Sequence, residues 1–187
     1  VIARLLLVVA LGAVTSSTRA DEAATRAIEV AEGALVFDAP ADWESVTPAN
    51  RIIEHEIAVP APSGSDAGPA RLTVMAAGGS VDANLARWVG QFQGTEGGAD
   101  RQSAKVEKQQ SGGMEITLID VAGTYLESLR GPFGPKTPRP DYRLVGAIVE
   151  TKGEGNYFFK LIGPAATVEP AVERFQAMVP TLRKSGE

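Results

Sequence analysis

The sequence predicts an α+β domain, a single antiparallel β-sheet covered by helices on both sides in an α/β/α sandwich. Three observations point there. About seven short segments carry strand character and are joined by brief turns. Two amphipathic helices, one in mid-chain and one at the end, present apolar faces that must cover a sheet. The passage from Asp141 to Lys184 reads strand, tight turn, strand, helix, an antiparallel unit with its own cover.

Residues 1–20 are read as a signal peptide rather than part of the fold. Arg4 supplies a positive start, Leu5 to Val14 an apolar run of ten residues, and Thr18-Arg19-Ala20 small residues before a cut at Asp21. That run is half the roughly 20 residues needed to span a bilayer, so no transmembrane segment is expected in the mature chain. No cysteine follows it to take a lipid. The expected location is secreted or periplasmic, in a bacterial cell. Residues 21–33, rich in alanine and glutamate, read as a linker, and residues 34–184 as one domain.

Within that domain Ala34 to Phe37 opens the first strand, and Asp38 to Trp43 closes it. Ile52 to Pro60 alternates apolar and polar residues as a half-buried strand does. After the loop Ala61 to Pro69, Arg71 to Ala77 returns as its hairpin partner. Ser80 then reads as the N-cap of a helix whose Val81, Leu85, Trp88, Val89 and Phe92 share one face, with Asp82, Asn84, Arg87 and Gln91 opposite. Gly94 is placed to end it. Lys105–Gln110 and Met114–Tyr125 form a hairpin over Ser111-Gly112-Gly113. Ser128 to Asp141 reads as a long proline- and glycine-rich loop. Tyr142–Thr151 and Tyr157–Ile162 are the last two strands. Thr167 reads as the cap of a final helix buried along Val168, Val172, Phe175, Val179 and Leu182, and Pro180 should kink or end it.

Composition removes several functions. Without Arg4 and Arg19 the chain keeps 16 basic against 23 acidic residues, a net charge of about −7. Such a protein is a poor match for phosphate backbones and for acidic membrane surfaces, so no nucleic acid is expected. The chain has no cysteine and a single histidine, too few for the usual zinc sites. His55, between Glu54 and Glu56, reads as an exposed strand histidine, and no nucleophile motif accompanies it. Asp120 sits in an otherwise apolar strand and is expected to face solvent or cap a turn. Gly131 to Thr137 is no phosphate loop, because Pro135 removes an amide and Pro138 and Pro140 prevent a following helix. No enzyme activity, cofactor or metal is expected.

The segment Phe37-Asp38-Ala39-Pro40-Ala41-Asp42-Trp43 has the pattern F-x-x-P-x-x-W. With the terminal hairpin and helix it resembles the opening and closing of the PsbP/Mog1-like superfamily. The stretch from Gly78 to Gln91 with Ile116 to Tyr125 looks like that of secreted bacterial members whose role is not known. The resemblance implies an antiparallel sheet sandwiched by helices. It also implies docking to other macromolecules without covalent chemistry, as in an accessory subunit of photosystem II or a Ran-binding import factor. It carries over no functional residue.

The expected function is therefore a non-catalytic binding or accessory module that engages a protein partner at the cell envelope. The Ser128–Asp141 loop is its expected contact, with Arg130, Phe133, Lys136 and Arg139 between stiffening prolines. The alternative is a small-molecule carrier with a cleft between the sheet and the mid-chain helix. A cleft lined by Trp88 and convergent polar groups favours the carrier, and a filled interface excludes it.

Overall fold

A computed structural model describes residues 24–93, 104–128 and 134–186. Its centre is a seven-stranded antiparallel sheet. The strands are β3 (Glu44–Val46), β4 (His55–Val59), β5 (Ala70–Ala77), β6 (Lys105–Ser111), β7 (Met114–Glu127), β8 (Thr137–Glu150) and β9 (Asn156–Pro164), in the order β3-β4-β5-β9-β8-β7-β6. The expected single sheet is corrected here. A second sheet of three strands, in the order β1-β2-β10, is built from β1 (Thr25–Val30), β2 (Leu35–Pro40) and β10 (Arg183–Lys184).

Strand β1 lies in the segment read as a linker. Its alanine and glutamate content conceals a period-two signal, Ile28 and Val30, and both are buried. It pairs antiparallel with β2, from Thr25↔Pro40 to Val30↔Leu35, across a turn in which Ala31, Glu32 and Gly33 all have positive φ. Glu54 supports that turn, its Oε2 accepting from the Ala31 N–H at 3.0 Å.

One face of the large sheet is packed against the small sheet and two short helices, α2 (Ala165–Val168) and α3 (Val172–Met178). Phe37 meets Phe159 edge-on at 5.1 Å between ring centres. Trp43 is fully buried under the Arg174 guanidinium, which lies 5.4 Å from its ring centre. The F-x-x-P-x-x-W residues thus help close one sheet over the other. The final helix is broken rather than continuous, with 3-10 turns at Glu169–Ala171 and Val179–Thr181, each holding a proline near its start. Thr167 is not its cap. The helix begins at Ala165, and the Thr167 hydroxyl donates to Gly68 O at 2.8 Å.

The opposite face carries α1 (Val81–Val89). Ser80 caps it as expected, its Oγ accepting from Ala83 N at 3.2 Å. The helix stops at Gly90, earlier than Gly94, which lies outside the described residues. Residues 91–93 then join β7 through Gln93 N to Thr124 O and Leu126 N to Gln91 O. Asn84, expected on the outer side, is buried and donates to Gly78 O and Ser80 O.

Candidate cleft between helix and sheet

Strand alternation selects the groups that face α1. On β9 they are Phe158, Lys160 and Ile162, and on β5 they are Arg71, Thr73 and Met75. Position 146 of β8 pairs with Lys160 and is glycine for a steric reason. A Cβ there would lie 2.4 Å from Cζ3 of Trp88, so only glycine lets the indole rest on the sheet. Trp88 also meets Phe158 edge-on at 5.4 Å. The helix is held down at this point, and beside it a cleft of about 220 Å3 opens toward the β3–β4 connection.

The cleft is polar at its centre. Lys160 Nζ donates to Gln91 Oε1 at 2.6 Å and sits 5.8 Å from the centre of the Tyr125 ring. Tyr125 stacks on Tyr142 with 5.9 Å between centres. Arg71 holds Glu56 through two hydrogen bonds of 2.5 and 2.9 Å. Arg87 donates to the neutral Asn84 Oδ1 at 2.7 Å. Asn50, Ile52 and Ile53 complete the rim, with Ile52 well exposed.

The electrostatics follow from this arrangement. Burial, reinforced by the charges of Arg87 and then Arg71, pushes the Lys160 ammonium down to about 7. Hydrogen bonding from Arg71 holds Glu56 below the usual carboxylate range, against the opposing effect of burial. Among the described residues, the ion pairs that touch the cleft reduce to Arg71–Glu56, and no carboxylate bonds to Lys160 or Arg87. The cleft can therefore attract negative charge, although the whole chain is net negative at −5.

The residues singled out by sequence lie elsewhere. Arg130 and Phe133 fall outside the described residues. The loop given as Ser128–Asp141 is shorter than expected, because β8 begins at Thr137 and pairs with β7 as far as Glu127. Pro138 and Pro140 are tolerated because β9 reaches only Tyr142, leaving one side of this arm unpaired. Lys136 precedes the arm, and Arg139 lies on it, donating to Glu127 Oε2 at 2.8 and 3.0 Å. Asp120 neither faces solvent freely nor caps a turn. It accepts from Arg143 at 2.6 and 2.9 Å across the β7–β8 pair. His55 Nε2 is 2.7 Å from Glu29 O, beside a hollow with Glu29, Glu32, Glu54 and Glu154. There Glu54 already accepts from Tyr157 Oη at 2.9 Å, and burial, reinforced by this bond, drives the phenol upward. Sequence reasoning missed Lys160, Arg71 and Arg87 as a group. The available signal was one lysine inside the apolar run Tyr157–Ile162.

No family model matches the sequence, and no curated protein matches it. Solved structures do. The cyanobacterial PsbP, CyanoP, of Synechocystis is 12% identical with a TM-score of 0.49, covering 92% of this chain and 99% of that one. The Ran-binding protein Mog1p of Saccharomyces cerevisiae is 9% identical with a TM-score of 0.48, covering 86% and 95%. PA94 of Pseudomonas aeruginosa, a protein of unknown function, is 14% identical with a TM-score of 0.43, covering 84% and 94%. At these identities and TM-scores the likenesses carry no argument about function.

Proposed function

We propose that the protein is a non-catalytic binding module, active outside the cytoplasm, that carries a small molecule in the cleft between α1 and the seven-stranded sheet. One observation carries the reading. Trp88, Arg87, Gln91, Arg71 and Lys160 converge on a half-open cleft of about 220 Å3 between α1, the sheet and the β3–β4 connection. Lys160, held near 7 by burial beside this cleft, is the kind of desolvated group that binding sites use.

Tryptophan fluorescence tests this directly, because Trp43 is sealed in the opposite core and Trp88 lines the cleft. A panel of small metabolites of all charges should contain compounds that shift the emission of the wild type and of Trp43→Phe, but not of Trp88→Phe. If no compound moves the Trp88 signal, the carrier reading fails. Export rests on the apolar run Leu5 to Val14 and its Thr18-Arg19-Ala20 boundary. A mature protein recovered from the periplasm or medium with Asp21 at its N-terminus is the expected result.

A second reading, a protein partner at the cell envelope, is favoured by the β7–β8 arm, where five successive residues from Thr137 to Asp141 are exposed. Pull-downs from envelope extract with wild type and with Arg130→Ala/Phe133→Ala/Arg139→Ala compare the partners retained. Identical partners for both proteins exclude the arm as the contact.

A further inference from the structure

The cleft's lining also points to the kind of molecule it accepts. Among the described residues, the hydrogen bonds of two cations, Arg87 and Lys160, go to neutral amide oxygens, Asn84 Oδ1 at 2.7 Å and Gln91 Oε1 at 2.6 Å. The third, Arg71, is committed to Glu56. The Lys160 ammonium loses hydration by burial, and an incoming anion restores the lost stabilisation through charge-assisted hydrogen bonds, while the Arg87 guanidinium lies exposed at the rim, open to the same anion. The guanidinium of Arg87 keeps donors beyond the one used by Asn84, and its planar fork suits a carboxylate. Around these charges the wall is apolar: Trp88, Phe158, Met75 and the exposed Ile52. The volume, about 220 Å3, is below that of sites for drug-sized ligands, roughly 300–1,000 Å3.

Resting on the carrier reading above, we propose that the ligand is a small organic carboxylate, its anionic end on Arg87 and Lys160 and its apolar body against Trp88 and Phe158. A bare inorganic anion satisfies the cations but leaves the apolar wall unused. A neutral isostere fills the wall and leaves the cations unmet. Both should bind more weakly than the carboxylate.

Proton uptake is a consequence that can be measured. At pH 8 the Lys160 amine is mostly neutral, since burial holds it near 7. A carboxylate placed beside it favours the ammonium, so binding draws a proton from solvent onto Nζ. The groups facing Nζ are Arg87 and Gln91 from α1, Arg71 with Glu56 from β5 and β4, and Tyr125 from β7. Guanidinium groups stay charged throughout, Glu56 is held low by Arg71, and burial moves Tyr125 upward, away from neutrality. Lys160 is left to exchange the proton.

The test is isothermal titration of the full chain, with Trp88 fluorescence in parallel, using phenylacetate and hexanoate, their amides, and inorganic phosphate. Each carboxylate should bind at least about tenfold more tightly than its amide and than phosphate. Titration in Tris and in HEPES at pH 8 should report an uptake approaching one proton, falling toward zero at pH 5.5. Arg87→Gln and Lys160→Met should each lose most of that preference while keeping the wild-type circular dichroism. Lys160→Arg should retain carboxylate binding with no uptake. Amides that bind as well as the acids, or a preference that survives both charge-removing variants, would overturn the carboxylate assignment. So would a panel in which neutral or cationic compounds move the Trp88 signal and neither carboxylate does. That last result leaves the carrier standing, whereas silence from compounds of every charge removes both.

Discussion

The two faces of the seven-stranded sheet differ in what covers them. On one face a second sheet, α2 and α3 enclose a continuous apolar core from Ile28 to Leu182, with ion pairs such as Arg183–Asp38 and Arg174–Asp42 outside it. On the other, α1 supplies one helix and a smaller cluster around Trp88 and Phe158. There the sheet presents Arg71, Thr73 and Lys160, and Thr117 Oγ1 is buried with no hydrogen-bond partner among the described residues. The same strands build both faces, so sheet formation does not explain the contrast. The closed face supplies stability, and the half-covered face holds polar groups that cost stability.

Truncation at the centre of the closed face should have the largest effect. Phe159 is fully buried and meets Phe37. Phe159→Ala should cost about 3–5 kcal/mol by urea denaturation, because the packed surroundings cannot collapse into the space. A loss below about 1 kcal/mol would mean that this core is looser than its burial implies.

Removing Lys160 should do the reverse. Its ammonium is lowered to about 7 in the fold and rises to about 10.4 when the chain unfolds. Between those values the unfolded chain binds more protons, so stability rises with pH, and below about 7 the fold carries the full penalty. Lys160→Met should therefore be more stable than wild type at pH 6, by an amount that shrinks as pH rises toward 10.5. Each unit of displacement is worth about 1.4 kcal/mol, so the swing is on the order of a few kcal/mol. Parallel pH–stability curves for the two proteins would contradict a desolvated lysine.

Much of the closed face was legible in the residues, and little of the open one was. Phe37, Trp43 and the β8–β9 pair carried strand composition and turn chemistry, so their burial could be anticipated. Strand β1 could not, because alanine and glutamate favour helix locally and only pairing with β2 overrides them. Lys160 was hidden for a different reason. A strand buried on both faces shows no alternation, so the sequence does not say which side a lone lysine takes. Its meaning depends on Arg71 and Arg87, which are far away in sequence and arrive through β5–β9 pairing and the seating of α1.

Seating α1 depends on Gly146, and this gives an effect of intermediate size. The Cβ of Gly146→Ala would meet Trp88 at 2.4 and 2.9 Å and Ile119 at 3.1 Å. The indole must lift, at a cost of about 1–3 kcal/mol, and the cleft beside it changes shape. Trp88 emission should shift while Trp43 emission stays. Gly163→Ala offers a contrast from elsewhere in the sheet, since its Cβ would lie 2.6 Å from that of Ala70. It should destabilise without moving the Trp88 signal.

The smallest expected effect on stability falls outside both faces, on the β7–β8 arm. Arg139 and Glu127 form an exposed pair, and exposed pairs gain little because water screens them and both side chains lose freedom. Arg139→Ala should leave the melting temperature unchanged and leave the Trp88 response to phenylacetate intact. An arm that serves only the hairpin has no further property to lose. If instead it is a docking surface, the same variant, stable and ligand-competent, should release a protein partner that the wild type retains. Because neither stability nor cleft binding should move, a change in retained partners would be attributable to the arm itself. Loss of phenylacetate binding in Arg139→Ala would mean that arm and cleft act together, through Tyr125, which pairs with Arg139 on one strand and lies under Lys160 on the other side.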